Sequence, residues 1–316
     1  MILYLAPLEG ITGYIYRNAQ YKYFGDIDKY FTPFISLKHK GKFGQKEIND
    51  ILPEHNIDMN LVPQLLTNDA QLLLDACRYL KGQGYDEVNL NLGCPSGTVV
   101  SKGKGAGLLY DKEALDEFLY NIFENIDNKL SIKTRIGIDN PEEFYEILDI
   151  YNKYPMHELI IHPRTRKDFY KNKPNLDIFK YAINNSKNKI CYNGDIFGLN
   201  DYIGFKANYN NQEDIMIGRG VITNPALPRL IKKSEDVKKE ELINFHEYLL
   251  EEYSKVLSGD MPVLFKMKEM WFYMLNIFVD SEKFGKKIKK SKHISDYKIA
   301  VNNLFDNCDI STDFDI

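Results

Sequence analysis

Apolar and polar positions follow one repeating theme over the first two-thirds of the chain: a short apolar run, a closing Gly, Pro or polar cluster, then a stretch with helical spacing. The runs are LYLAPL at 3–8, FTPFIS at 31–36, LVPQLL at 61–66, EVNLNL at 87–92, LSIKTRI at 130–136, ELIIH at 158–162, KICYN at 189–193 and DIMIG at 214–218. They predict eight strands. Between them, Asn68 is expected to cap a helix carrying Leu72, Leu73, Ala76 and Leu80. Asp111 is expected to open one carrying Leu115, Phe118, Leu119, Ile122 and Phe123, and Asn140 with Pro141 one carrying Phe144, Ile147, Leu148 and Tyr151. Eight strand–helix units predict a parallel sheet closed as a (β/α)8 TIM barrel, with an open doubly wound sheet as the second choice.

Near Leu230 the strand runs stop and only helical periodicity remains, in segments bearing Leu242, Phe245, Leu249 and Val256, then Leu264, Met267, Met270, Trp271, Met274, Leu275 and Phe278, then Ile294, Tyr297, Val301 and Leu304. This predicts a catalytic barrel over 1–235 followed by a small all-helical C-terminal domain over 236–316. The methionine and aromatic stripe reads as core, and Asp306, Asp309, Asp313 and Asp315 as a solvated acidic tail.

Charge narrows the choice of partner. The 316 residues hold 41 Lys and Arg against 45 Asp and Glu, a net charge of −4, so any polyanion site must be a local patch. Three candidates exist: six lysines at 283, 286, 287, 289, 290 and 292; Lys38, Lys40 and Lys42 after strand 2; and Arg164, Arg166, Lys167, Lys171 and Lys173 after strand 6, the last two clusters on the expected catalytic rim. No apolar run approaches a membrane span, and the apolar start lacks a basic leader, so no membrane association and a cytoplasmic location are expected. Four widely spaced cysteines indicate neither a disulfide framework nor a metal site. Cys77 fits a buried helix face; Cys94 does not.

In a barrel the chemistry collects where strands end. Here the ends are polar: Ala6, Pro7, Leu8 and Glu9; Gln64; Asn89 and Asn91 running into Gly93, Cys94 and Pro95; Lys133 and Arg135; His162 and Arg164; Asn193, Gly194 and Asp195; Gly218, Arg219 and Gly220. Polar interior residues are costly unless a ligand or neighbour pairs them. The NGD and GRG turns after consecutive strands supply backbone N–H groups and a guanidinium for a phosphate ester. Lys133 would then be a fixed cation in the barrel mouth, suited to the N1 and O2 edge of a flavin, or else part of a salt bridge, for instance to Glu9. Gln64 and Asn91 can each donate and accept, as a pyrimidine edge requires. Cys94, ahead of a glycine-rich segment, can serve as a general acid or as a nucleophile, or stand as a structural loop thiol.

In order and spacing, APLEGIT at 6–12, VPQL at 62–65, NLNLGCP at 89–95, KTRIG at 133–137, HPRT at 162–165, NGDI at 193–196 and GRG with NPAL at 218–227 resemble the tRNA-dihydrouridine synthases. The resemblance implies a flavoenzyme reducing the C5–C6 double bond of uridines in tRNA, with a C-terminal tRNA-binding domain. Non-covalent FMN would lie on Ala6, Pro7, Leu8, Gln64, Lys133, His162, Asn193, Gly194, Asp195, Gly218 and Arg219. Asn91 would hold the uracil, with Arg164 also on the substrate. NADPH would reduce the flavin, hydride would pass from N5 to C6, and Cys94 would protonate C5. A monomer is the default. Two other readings remain: a flavin barrel acting on a free pyrimidine such as dihydroorotate, and a non-enzymatic RNA-binding or chaperone protein.

Overall fold

Alternation along the strands decides which residues enter the barrel. In β6 (Glu87–Leu92) and β7 (Lys129–Arg135), Val88, Leu90, Leu92, Leu130, Ile132 and Thr134 share one face, and Asn89, Asn91, Ser131, Lys133 and Arg135 the other. The side chains of Asn89 and Ser131 meet each other on that second face, which is the interior. The computed structural model describes residues 1–37 and 43–311. Lys38, Lys40, Lys42, Asp313 and Asp315 lie outside the described residues.

The remaining strands are β1 (Ile2–Leu5), β2 (Lys29–Phe31), β3 (Ile35–Ser36), β4 (Leu61–Val62), β5 (Gln64–Leu66), β8 (Glu158–His162), β9 (Ile190–Asn193) and β10 (Asp214–Ile217), in the order β3-β5-β6-β7-β8-β9-β10-β1-β2-β4. Ten segments make eight barrel strands, because β2 with β3, and β4 with β5, are each one path broken at a proline. Pro33 and Pro63 cannot donate to the ladder. Beside the second break the Thr32 hydroxyl accepts from the Gln64 N–H at 2.9 Å, and the Asn89 N–H donates to the Pro63 carbonyl. Since β2 pairs with β4 and β3 with β5, both in parallel, the ring closes. This is the parallel barrel the eight runs predicted.

By contact the chain forms two compact units. The first is Met1–Pro7, Lys29–Gly194 and Asn211–Met216; the second is Leu8–Asp28, Asp195–Asn210 and Ile217–Ile316. The first holds the strand ring with α2 (Gln45–Ile51), α3 (Ala70–Gly82), α4 (Gly97–Val100), α5 (Lys112–Phe123), α6 (Glu143–Tyr151) and α7 (Leu176–Asn185). At the strand starts its interior is filled with charge. The Tyr4 hydroxyl lies 2.8 Å from Glu158 and 2.9 Å from Asp214, Lys29 pairs with Glu87 at 2.9 Å, and Lys189 pairs with Asp214 at 2.6 Å. Burial pushes the Glu158 carboxyl up. This plug faces away from the strand ends and reads as structure rather than chemistry.

Several helix starts differ from expectation. Asp69, not Asn68, caps α3, accepting from the Leu72 N–H, while the Asn68 amide donates to the Lys102 carbonyl. Asp111 caps α5 as predicted. Asn140 does not cap α6; instead the Glu143 carboxylate reaches back to the N–H groups of Ile138, Asp139 and Asn140, doing the same job from inside the helix.

The second unit comprises α1 (Tyr14–Tyr23), α8 (Leu199–Asn208), α9 (Arg219–Thr223), α10 (Leu227–Lys233), α11 (Lys239–Val256), α12 (Asp260–Met274), α13 (Glu282–Lys290) and α14 (Ile294–Asn307). It is larger than residues 236–316, because Tyr16 and Phe24 lie 5.8 and 5.3 Å from the Phe245 ring, packing α1 onto α11. Val256, expected in the core, is 53% exposed at the end of α11, and Asp306 lies in α14 rather than in a tail. Trp271 Nε1 donates to the Tyr297 hydroxyl (2.6 Å), which lies 2.7 Å from His246 Nε2, joining α11, α12 and α14.

Burial pushes the His246 imidazolium down to about 3 from 6.5. The folded protein therefore holds this ring neutral while the unfolded chain takes up a proton below 6.5. Stability from this group is complete above that pH and falls as pH drops toward 3, with a loss of about 2 kcal/mol by pH 5. Urea unfolding at pH 7 and pH 5 checks this, and His246→Phe is expected to flatten the dependence between them.

Candidate active site

Pairing register sets the polar ends side by side: Gln64 opposite Asn89, Asn91 opposite Lys133, and Arg135 opposite His162. The amides form a relay. Gln64 Nε2 donates to Asn89 Oδ1 at 2.8 Å, Asn91 Nδ2 donates to Gln64 Oε1 at 2.8 Å, and Asn89 Nδ2 donates to Ser131 Oγ at 2.9 Å. Asn91 Oδ1 then accepts from the backbone N–H groups of Gly93 (3.0 Å) and Cys94 (2.9 Å). Much of the hydrogen-bonding capacity of Gln64 and Asn91 is thus spent on orienting the turn that carries the thiol.

Cys94 is half-buried, and the backbone around it is held on every side. Its carbonyl accepts from the Ala106 N–H at 3.1 Å, and the Gly93 carbonyl accepts from Arg135 Nε at 3.0 Å. The glycine-rich segment supplies the return path. Gly105 adopts φ +56, and a Cβ there would come within 3.0 Å of the Cys94 Cβ and carbonyl, so only glycine lets the segment fold back over the thiol. Cys77, by contrast, is 2% exposed on α3, and burial pushes its thiol up to about 12.

Lys133 is half-buried on the interior face and forms no hydrogen bond or ion pair among the described residues. Burial, with the neighbouring Arg135 charge, pushes its ammonium down to about 8. An unmatched cation at the strand ends fits an anionic or electron-rich ring system such as a flavin head. Asn193 Nδ2 donates to the Met216 carbonyl at 2.9 Å, tying β9 to β10; Ala6 closes β1 and is buried, followed by half-buried Pro7. Gly194 is half-buried after Asn193.

His162 and Arg164 are both buried, with Arg164 Nη1 3.1 Å from His162 Nε2 and Arg164 Nε donating to the Asn172 carbonyl at 2.5 Å. Since the guanidinium can only donate, Nε2 is the acceptor and the imidazole proton sits on Nδ1. Arg164 is 2% exposed and lies in the wall, whereas Lys167, Lys171 and Lys173 of the same loop are exposed.

In the second unit, Arg219 Nη2 meets Asp195 Oδ1 at 2.6 Å, and its guanidinium stacks over Phe197 at 4.8 Å. Asp195 holds the arginine in one orientation. A Cβ on Gly220 would stand 2.1 Å from the Ile196 carbonyl, so the second glycine of GRG is what allows this approach. Gly218 precedes α9, and the Leu8 N–H is taken by Thr12 Oγ1 at 2.8 Å.

A family model described as dihydrouridine synthase (Dus) matches residues 4–307. The chain belongs to the dihydrouridine synthase family. As a member it is an oxidoreductase, and the family is the one its motifs resemble. A Helicobacter pylori relative described as a probable tRNA-dihydrouridine synthase is 26% identical over 283 residues, 86% of this chain and 82% of that one. A Saccharomyces cerevisiae relative, the tRNA-dihydrouridine(20a/20b) synthase whose name adds NAD(P)+, is 28% identical over 208 residues, 64% of this chain and 55% of its own. Among solved structures, morphinone reductase in complex with tetrahydroNAD aligns with a TM-score of 0.51 at 12% identity, covering 75% of this chain and 87% of that one, a likeness of fold alone.

Proposed function

We propose that this dihydrouridine synthase reduces the C5–C6 double bond of selected uridines in tRNA, using non-covalent FMN recharged by NADPH, with Cys94 as proton donor. The observation that carries the reading is a thiol on a fully pinned turn, next to a strand pair that presents the unmatched Lys133. In the first unit Ala6, Pro7, Gln64, Lys133, His162, Asn193 and Gly194 are assigned to the flavin. The second unit offers Leu8, Asp195, Gly218 and Arg219, of which Arg219 is suited to a phosphate. FMN held by these residues would supply, once reduced, the hydride for C6. Cys94 gives its proton to C5 as the π bond breaks, and the thiolate is reprotonated from water. Asn91 fixes the turn and keeps one N–H for the uracil; Arg164 orients His162 on the substrate side.

What favours tRNA over a free pyrimidine is the surface of the second unit, where residues 236–316 are assigned to RNA binding. A groove of about 1510 Å³ runs between α12 and α13, lined by Phe265 and Phe272 and by Lys268, Lys283, Lys286 and Lys289, with Glu9, Glu269, Asp280 and Glu282 on the same lining. Phe265 and Phe272 are 63% and 75% exposed on one helical stripe, separated by Lys268. Exposed rings interleaved with lysines suit unpaired nucleotides, stacking bases and pairing phosphates. Phe272→Ala is expected to raise KM for tRNA about tenfold with flavin content unchanged. A steady-state titration with tRNA transcript checks this.

The reading is tested by reducing the FMN-loaded protein anaerobically with NADPH and following its reoxidation. Reoxidation by unmodified tRNA but not by orotate or uridine supports it. Reoxidation by the free pyrimidine alone moves the assignment to a small-molecule reductase, and a protein that holds no flavin leaves the RNA-binding reading.

A further inference from the structure

Arg135 is not used by the chemistry above, yet it is among the largest fully buried side chains, at 2% exposed. Each of its three nitrogens donates to a backbone carbonyl: Nε to Gly93 (3.0 Å), Nη1 to Thr165 (2.7 Å) and Nη2 to Phe169 (2.9 Å). No carboxylate forms an ion pair with it among the described residues. A buried guanidinium with no carboxylate in direct contact is costly, and burial holds its pKa below the ordinary arginine value, although the nearby Asp168 charge works the other way. The Asp168 charge and the Tyr170 ring, 5.6 Å from the guanidinium, offset part of that cost, and the three bonds tie the side chain to what they hold together.

They hold two segments. One is the turn whose next residue is Cys94. The other is the loop after β8, organised by the Asp168 carboxylate, which accepts from the Thr165 N–H and hydroxyl at 2.8 Å each. The same loop is tied to the end of β7 through Arg166 N–H to the Gly137 carbonyl and Lys167 N–H to the Ile138 carbonyl. Its outer side presents Lys167, Lys171 and Lys173 to solvent. The planar fork of arginine can serve these diverging acceptors at once; an ammonium cannot.

We propose that Arg135 is a positioning residue that couples this lysine-bearing loop to the proton donor. RNA phosphates on Lys167, Lys171 and Lys173 fix the carbonyls of Thr165 and Phe169, Arg135 is thereby fixed, and the Gly93 carbonyl it holds sets the Cys94 thiol. This rests on the tRNA reading for the identity of the polyanion. It makes proton delivery depend on engagement of the loop, so a uridine that enters without a backbone seated there is a poor substrate.

The test is a double-mutant cycle on the FMN-loaded enzyme with tRNA transcript and NADPH, reading kcat, KM and dihydrouridine formed. Arg135→Lys is expected to lower kcat about 10- to 100-fold, the cost of a misplaced group, with KM and flavin content within about twofold. Lys167→Ala with Lys171→Ala is expected to raise KM and to lower kcat in the parent, but only to raise KM in the Arg135→Lys background. Additive kcat effects, or an Arg135→Lys enzyme within twofold of the parent, overturn the coupling. If Arg135→Lys fails to retain flavin, the loop variant in the parent decides: a fall in kcat supports the proposal, a change in KM alone overturns it. If the parent forms no dihydrouridine, the tRNA reading has failed separately, and alkylation of Cys94 by iodoacetamide judges Arg135, with a several-fold change expected in the Arg135→Lys variant and an unchanged rate overturning the proposal.

Discussion

Cys94→Ala is expected to retain flavin and tRNA affinity while lowering turnover about 10²- to 10⁴-fold, the range for loss of a positioned general acid. The effect should be confined to chemistry because the turn is held by backbone groups that alanine preserves: both N–H bonds to Asn91, the Gly93 carbonyl on Arg135, and the Cys94 carbonyl on Ala106. The Cβ against which Gly105 packs is also kept. Single-turnover oxidation of the reduced enzyme by tRNA isolates the step. A variant as fast as its parent would remove the general-acid role, and one that loses flavin as well would show that the thiol packs rather than reacts.

The second large effect is expected at Lys133. If Lys133 faces the flavin as proposed, removing its charge is expected to cost about 10²-fold in the step that develops negative charge, comparable to loss of one electrostatic donor. Lys133→Met should therefore slow reduction by NADPH and weaken FMN retention. A pH signature accompanies it. Without ligand the ammonium is charged below about 8 and neutral above, so FMN retention in the parent should fall as pH rises through that value and should be flat in the variant. Flavin-to-protein absorbance ratios after gel filtration at pH 7 and pH 9 measure this independently of turnover. Equal retention by parent and variant at both pH values would count against a cation in contact with the flavin.

How much of this was legible in the sequence depends on the range of the interaction. Strand alternation and strand-end chemistry are local, so VNLNL and SIKTR already separated a helix-facing apolar set from an interior polar set, and Cys94 and Lys133 stood out. Asp111 was legible as a cap because it stands next to an apolar-periodic run. Asn68 and Asp69 are adjacent and equally able to cap, and only the approach of Lys102 decides between them. Helix α13 is not visible in the apolar pattern, because its five lysines surround a buried face of only Phe284, Gly285 and Ile288. His246 sits inside a visible apolar stripe, but its role needs Tyr297, fifty-one residues away. Arg135 was in plain view in KTRIG, two residues from Lys133 on the same face, yet its three acceptors are backbone carbonyls, which no residue pattern announces. The packing of α1 onto α11 joins segments more than two hundred residues apart, so a cut at 235 divides a compact unit that spacing alone cannot see.

The role proposed for Cys94 is to protonate C5 of a tRNA uridine reduced at C5–C6. Its most direct test incubates the FMN-loaded protein and its Cys94→Ala variant with a full set of unmodified tRNA transcripts and NADPH, followed by digestion and mass spectrometry of the fragments. Uridine two hydrogens heavier at defined positions with the parent, and nearly absent with the variant, is the predicted result and names the target site. Unmodified tRNA throughout, with the flavin still reduced by NADPH, would contradict it.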